Sequence, residues 1–361
     1  MRMERQWRAG GDAAIPIYLL TGFLGSGKTT LLRRILDAPE LVDTALIINE
    51  FGEVGLDHKL VQSSVENVLL MEDGCLCCSV RGDLVDVIGD LFAGVRNGEL
   101  PAFSRIVIET TGLADPTAII QDLTTARGLA GLVRLEKVIV TVDGLLGGMQ
   151  IAGTDEMLSQ VAQADLCVVT KCDLADVDQV LDLVGQLRAV NPLAEILTGD
   201  DEATTPAAIL DLAGPRLARP SPGSAFRCDG GETCTHAPGM PCTEHTLRAP
   251  GGGNMHRKVQ SWSIRCDRPL AWPRLRDWLD LLYSSRPSNL LRMKGILRIE
   301  GTTEPIVIHG VGATLSRPET FPAGAGTADL SELVVITIDL PAEQVDQTFR
   351  ALVLPAAVAK N

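Results

Sequence analysis

Positive charge is scarce in this chain: 32 Lys and Arg stand against 46 Asp and Glu, a formal net charge of −14 over 361 residues. That balance argues against broad electrostatic capture of nucleic acid or an anionic lipid surface. Also missing is any run near the roughly 18 consecutive apolar residues that a transmembrane helix needs. The stretch Met1 to Asp12 is polar and Pro16 interrupts the apolar segment behind it, so no secretory signal is read and the cytoplasm is the expected location. An even cysteine count is absent too: there are 9, and Cys75, Cys77 and Cys78 lie too close to bridge one another without strain. Metal or redox chemistry in a reducing compartment therefore fits better than a disulfide framework. No internal repeat and no long low-complexity tract is present.

What remains is ordinary globular material, 45% hydrophobic and 22% charged, long enough for two domains. Short apolar, β-branched runs occur at Ile15 to Thr21, Thr44 to Asn49, Arg105 to Glu109, Lys137 to Asp143, Asp165 to Thr170 and Ala194 to Thr198. They alternate with segments of helical period at Lys28 to Asp37, Asp83 to Val95, Asp155 to Ala164, Asp176 to Val190 and Pro206 to Leu212. The alternation predicts an α/β domain over 15–212, a mostly parallel sheet with helices on both faces, after a tail over 1–14. Ligands then belong at the carboxyl ends of the strands. Residues 213–257 are rich in Gly, Pro, Ser and Thr and read as a linker; 258–361 carries strand and helix patterns of a smaller α+β domain.

Gly22-Phe23-Leu24-Gly25-Ser26-Gly27-Lys28-Thr29 satisfies G-x-x-x-x-G-K-[ST] between a strand and a helix, the context of a phosphate-binding P-loop. Its backbone N–H groups and the helix N-terminus face the phosphates, Lys28 reaches the β and γ groups, and Thr29 offers a hydroxyl to Mg²⁺. Arg105-Ile-Val-Ile-Glu109-Thr-Thr-Gly112 supplies a strand-end acid, Glu109, for the metal's water shell, with Gly112 free to approach the γ-phosphate. Thr170-Lys171-Cys172-Asp173 matches [NT]-K-x-D. There a carboxylate at Asp173 accepts from guanine N1–H and N2–H together, which adenine does not offer, and Lys171 lies along the ring. GTP is thus favoured over ATP.

Gly74-Cys75-Leu76-Cys77-Cys78 brings three thiols together. Thiolates suit Zn²⁺, Cu(I) or Co²⁺, and three sulfurs leave one tetrahedral position for a carboxylate, water or a partner's ligand. Inert buried cysteines and a redox pair are the alternatives. In the linker, Cys228, Cys234, His236, Cys242 and His245 have the composition of a secondary metal site.

Taken together, Gly22 to Thr30, Gly74 to Cys78, Glu109 to Pro116 and Thr170 to Asp173 resemble the CobW-like metallochaperone GTPases. Asn49 to Asp57 is similar to that family's first switch loop, and Leu290 to Leu297 to a stretch of its C-terminal domain. The resemblance implies a P-loop NTPase fold and a Mg²⁺-dependent GTPase, slow without metal or partner. It would bind a divalent transition metal, Zn²⁺ or Co²⁺, through Cys75, Cys77 and Cys78 and deliver it to a client recognised by the C-terminal domain. It assigns catalysis to Lys28, Thr29 and Glu109; nucleotide binding to Gly22, Gly25, Ser26, Gly27, Lys28, Thr29, Thr30, Gly112, Thr170, Lys171 and Asp173; and a carboxylate to Glu53. The alternative reading is a metal-responsive regulator or buffer without delivery. His309 and Trp262, Trp272 and Trp278 are read as structural.

Overall fold

The computed structural model describes residues 14–38, 43–49, 68–70, 76–79, 84–199, 204–210, 259–315, 318–320 and 330–354. Two compact units partition the chain. The first holds an eight-stranded sheet: β1 (Ile15–Gly22), β2 (Thr44–Asn49), β3 (Val68–Leu70), β4 (Leu76–Ser79), β5 (Arg105–Thr110), β6 (Val133–Asp143), β7 (Leu166–Thr170) and β8 (Glu195–Thr198), in the order β3-β4-β2-β5-β1-β6-β7-β8. Every neighbouring pair is parallel except β3–β4.

Burial on both faces explains the continuous apolar runs, as in any helix-covered parallel sheet. Tyr18 and Leu20 of β1 join Leu46, Val107, Ile139 and Val168 in one cluster, capped by Leu31, Leu32 and Ile35 of α1 (Lys28–Leu36). Ile17, Leu19, Ile47, Ile106, Ile108, Val138 and Val140 alternate with them and are fully buried on the opposite side. The remaining helices of the N-terminal half are α2 (Leu84–Asn97), α3 (Pro116–Thr125), α4 (Gly147–Gly153), α5 (Asp155–Gln163), α6 (Val177–Val190) and α7 (Pro206–Leu210). After β1 the chain builds outward through β2 to β4, returns as β5, and crosses to β6 on the other flank of β1. The strand order reverses there, which makes the carboxyl ends of β5, β1 and β6 the expected crevice.

The second unit contains an antiparallel sheet of β9 (Val259–Cys266), β10 (Leu290–Leu297), β11 (Ile306–Val311), β12 (Thr314–Leu315), β13 (Glu319–Thr320) and β14 (Ser331–Ile338), in the order β12-β11-β10-β14-β9 with β13 on β11. Helices α8 (Trp272–Ser285) and α9 (Ala342–Leu352) accompany it. Its core centres on Trp262, Trp278 and Phe349, with Trp278 and Phe349 edge to face at 5.0 Å. Trp262 and Trp278 are therefore structural, their ring N–H groups satisfied by Asp346 and Thr348; Trp272 packs against the same core. This unit also takes in Ala152–Gln163 and Gly185–Ala194, tied to each other by fully buried Asn191, whose amide donates to the carbonyls of Val161 and Ala162.

Among the described residues no helix is long and apolar enough to cross a membrane.

Candidate nucleotide and metal site

The crevice is built from the turn that leaves β1. Gly22 exits the strand level with Thr141 of β6, and the loop closes through a bond from Ser26 N–H to Phe23 O at 3.1 Å. Gly25 and Gly27 have φ of 74° and 90°, backbone that an L side chain adopts only with strain, so both glycines are required by the turn. Gly27 is the N-cap of α1, which aims that helix's unsatisfied N–H groups into the loop. Lys28 folds back over the mouth, its ammonium donating to Gly22 O at 2.8 Å and Phe23 O at 3.1 Å.

A ladder of hydroxyls lies beneath the loop. Ser26 Oγ and Thr141 Oγ1, both fully buried, share a hydrogen bond of 2.6 Å, and Thr141 Oγ1 also reaches Thr21 O at 3.3 Å. Thr110 Oγ1 donates to Thr21 Oγ1 at 2.7 Å. Thr170 Oγ1 donates to Ser26 O at 2.8 Å. The phosphate loop is thereby bonded to β6 and β7, and β1 beneath it to β5.

Glu109, almost fully buried near the end of β5, accepts from Thr29 Oγ1 at 3.2 Å. A hydroxyl and a carboxylate converging at the start of α1 make an all-oxygen donor pair, chemistry that fits Mg²⁺. Gly112, three residues on, presses against the loop: an added Cβ would lie 2.6 Å from Leu24 N. Thr30 follows on α1 and is exposed. In Glu109 to Pro116, the final Asp115 and Pro116 start a helix. Asp115 caps α3 by accepting from Thr117 N–H at 2.9 Å, with Pro116 as the first helical residue.

The segment 170–173 follows β7 at the same edge. Lys171 adopts left-handed backbone, φ 55°, and its ammonium donates to Gly25 O and to Asp143 Oδ2, both at 2.7 Å. Asp173 is exposed on the short 3-10 turn Cys172–Leu174. Burial alone would raise the Asp143 carboxyl, but hydrogen bonds from Lys171, Leu146 and Leu145 outweigh it and hold the group below its ordinary value.

Cys77 and Cys78 occupy β4, whose backbone register is set on both sides. Cys78 aligns with Ile47 of β2, and Ile47 with Ile108 of β5, one residue before Glu109. Two strand spacings, about 10 Å, separate β4 from β5. Cys75 and Glu53 lie outside the described residues, as do Cys228, Cys234, His236, Cys242 and His245. Among the described residues no cluster of three His, Cys, Asp or Glu side chains is placed to hold a metal.

The structure thus brings Gly22, Gly25, Ser26, Gly27, Lys28, Thr29, Glu109, Gly112, Thr170 and Lys171 to one edge. Sequence reasoning missed Thr21, Thr110, Thr141 and Asp143. Asp143 alone carried a signal, an acid closing an apolar strand.

Comparison with known proteins agrees with this architecture. Residues 16–198 match the model of the CobW/HypB/UreG nucleotide-binding domain, and residues 259–353 that of the cobalamin synthesis protein cobW C-terminal domain. The chain is 30% identical over 339 residues to the zinc chaperone YjiA of Escherichia coli, covering 94% of this chain and 98% of that one. It is 30% identical over 223 residues to a zinc chaperone CobW of Pseudomonas aeruginosa, spanning 52% of this chain and 58% of the relative. Among solved structures, the Zn(II)-bound YjiA GTPase from E. coli superposes with a TM-score of 0.68 at 29% identity, over 94% of this chain and 99% of that one. The chain therefore belongs to the CobW/HypB/UreG family and pairs that family's nucleotide-binding domain with a CobW C-terminal domain.

Proposed function

We propose that this protein is a GTP-hydrolysing metallochaperone that binds a divalent transition metal and hands it to a client. The observation that carries the reading is the common edge of the first sheet. Strand-end Glu109 stands two strands, and the phosphate loop three, from Cys77 and Cys78, so one nucleotide-dependent movement is within reach of both. Zinc is the first cargo candidate, because a relative that matches 94% of the chain is named a zinc chaperone; cobalt is the second, since three thiolates accept either ion. Cys75, Cys77 and Cys78 hold the cargo, with Glu53 as a carboxylate from the first switch loop.

Gly22, Gly25, Ser26, Gly27 and Thr30 wrap the phosphates, and Lys28 swings from the loop carbonyls onto the β and γ oxygens. Thr29 and Glu109 would hold Mg²⁺, which would supply positive charge against the phosphates. Gly112 meets the γ-phosphate; Thr170, Lys171 and Asp173 read guanine. Hydrolysis by such a site is positioning plus charge stabilisation and is slow unless metal or client completes it. The functional domains run over 15–212 and 258–361, joined by a 213–257 linker; the second recognises the client, and the cytoplasm is the working compartment.

The test pairs zinc stoichiometry with GTP turnover in wild type and a Cys77→Ala, Cys78→Ala variant. The expected result is one tightly bound zinc per wild-type chain, none in the variant, and Mg²⁺-dependent phosphate release in both. Equal zinc retention by the variant would overturn the metal assignment. Preferred ATP turnover would overturn the nucleotide assignment.

A further inference from the structure

We infer that Asp143 is a positioning residue for guanine recognition, acting through Lys171. The inference rests on the reading of 170–173 as the base-contacting loop and adds a residue that the motif does not contain.

Asp143 ends β6, and its nearly buried carboxylate divides its work between two oxygens. Oδ1 accepts from Leu145 N–H at 2.9 Å and Leu146 N–H at 3.0 Å, which turns the chain out of the strand. Oδ2 accepts from the Lys171 ammonium at 2.7 Å. The same ammonium reaches Gly25 O at 2.7 Å, so one side chain is fastened at its tip to both the end of β6 and the phosphate loop. At its base Lys171 is held in left-handed backbone, with Gly144 N–H donating to Thr170 O at 2.8 Å and Leu174 N–H to Lys171 O at 3.1 Å.

A lysine fixed at both ends loses the rotamer freedom it would otherwise give up on binding, and its methylene stem becomes a preset rail for the flat face of a purine. The carboxylate also supplies the charge-assisted bond that a carbonyl alone does not match. Asp143→Asn is nearly isosteric and keeps an oxygen for the Leu145 and Leu146 N–H groups. In place of Oδ2 it presents an amide NH₂ that cannot accept from an ammonium. The turn survives, and the lysine loses its anchor.

The test is a double-mutant cycle on the full chain: wild type, Asp143→Asn, Lys171→Met and both together, read as affinity for a fluorescent N-methylanthraniloyl-GDP, with kcat and KM for GTP. The expected result is a 10-fold or greater loss of affinity for either single variant and no further loss in the double. In Asp143→Asn, KM should rise while kcat at saturating GTP stays within threefold. Losses that multiply in the double variant would overturn the inference, because Asp143 would then act independently of Lys171. So would unchanged affinity in Asp143→Asn beside weakened binding in Lys171→Met, a result that leaves the base-loop reading intact. Unchanged affinity in Lys171→Met removes the base-loop reading and the inference with it. Should Asp143→Asn fail to fold, Asp143→Ser, which retains a hydroxyl acceptor for the turn, replaces it in the same cycle.

Discussion

Gly112→Ala isolates the contact between the segment after β5 and the phosphate loop. A methyl at Gly112 would lie 2.6 Å from Leu24 N, 2.7 Å from Leu24 Cδ2 and 2.8 Å from Leu24 Cα. A rotamer change at Leu24 relieves only the second of these. Carbon atoms rest at about 3.5–4.0 Å, so loop and segment must part by about 1 Å. Gly112 is not among the glycines with positive φ, so alanine fits the backbone and the cost is one of space alone. Overpacking costs about 1–3 kcal/mol, and the stiffer unfolded chain returns about 0.4–1 kcal/mol. The net loss of stability is therefore small, about 0–2.5 kcal/mol. Function suffers more, because a displacement of about 1 Å in a positioning element can cost about 100-fold in rate. Urea unfolding measured beside phosphate release separates the two. The expected variant is folded, slightly destabilised and slowed by one to two orders of magnitude, on the order of the misplacement penalty. Stability and turnover both within twofold of wild type would refute the close approach of Gly112 to the loop.

Three further outcomes follow from the same geometry. Thr141→Val leaves the Ser26 hydroxyl buried without the partner it has at 2.6 Å, which should cost about 1–3 kcal/mol in urea unfolding, with Thr141→Ser restoring most of it. Burial pushes the Cys167 thiol up to about 12, with Asp165 adding to the rise; iodoacetamide at neutral pH should label Cys167 only after unfolding, and rapid native labelling would contradict its burial. Because the Asp143 carboxyl is held below its ordinary value, its stabilisation is complete above the unfolded carboxylate value of about 3.9 and is lost as pH falls through the lower folded one. The stability gap between wild type and Asp143→Asn should thus stay level from neutral pH down to about 5 and close only in stronger acid; a gap already closing near pH 6 would contradict the shift.

The phosphate loop is legible because its demands are local: three glycines, a lysine and a threonine at fixed spacing between a strand and a helix. β1, β2, β5, β6 and β7 are legible because burial on both faces leaves apolar runs, whereas β3 and β4, three and four residues long, escape notice. β6 begins at Val133 rather than Lys137 because Arg134 and Glu136, which pair at 2.7 Å, break the apolar pattern at its exposed end. Helix α3 escapes notice because only Pro116, Ile120 and Leu123 are buried along it and its start signal sits inside a motif read for chemistry. β12 and β13, two residues each, are too short for any period to register. The hydroxyl ladder and the Asp143 anchor are invisible for another reason. Ser26 and Thr141 are 115 positions apart, and only the register of β1 against β6 makes them neighbours. Sequence spacing identifies groups that meet a ligand; it does not identify the groups that hold them.

In a GTP-driven metallochaperone, nucleotide state sets metal affinity. The most direct test of this coupling is zinc affinity by chelator competition in Mg·GTP and in Mg·GDP, on wild type and the Cys77→Ala, Cys78→Ala variant. The expected result is a shift of tenfold or more between the two nucleotide states, about 1.4 kcal/mol of coupling, abolished in the variant. Zinc affinity equal in GTP and GDP would contradict it.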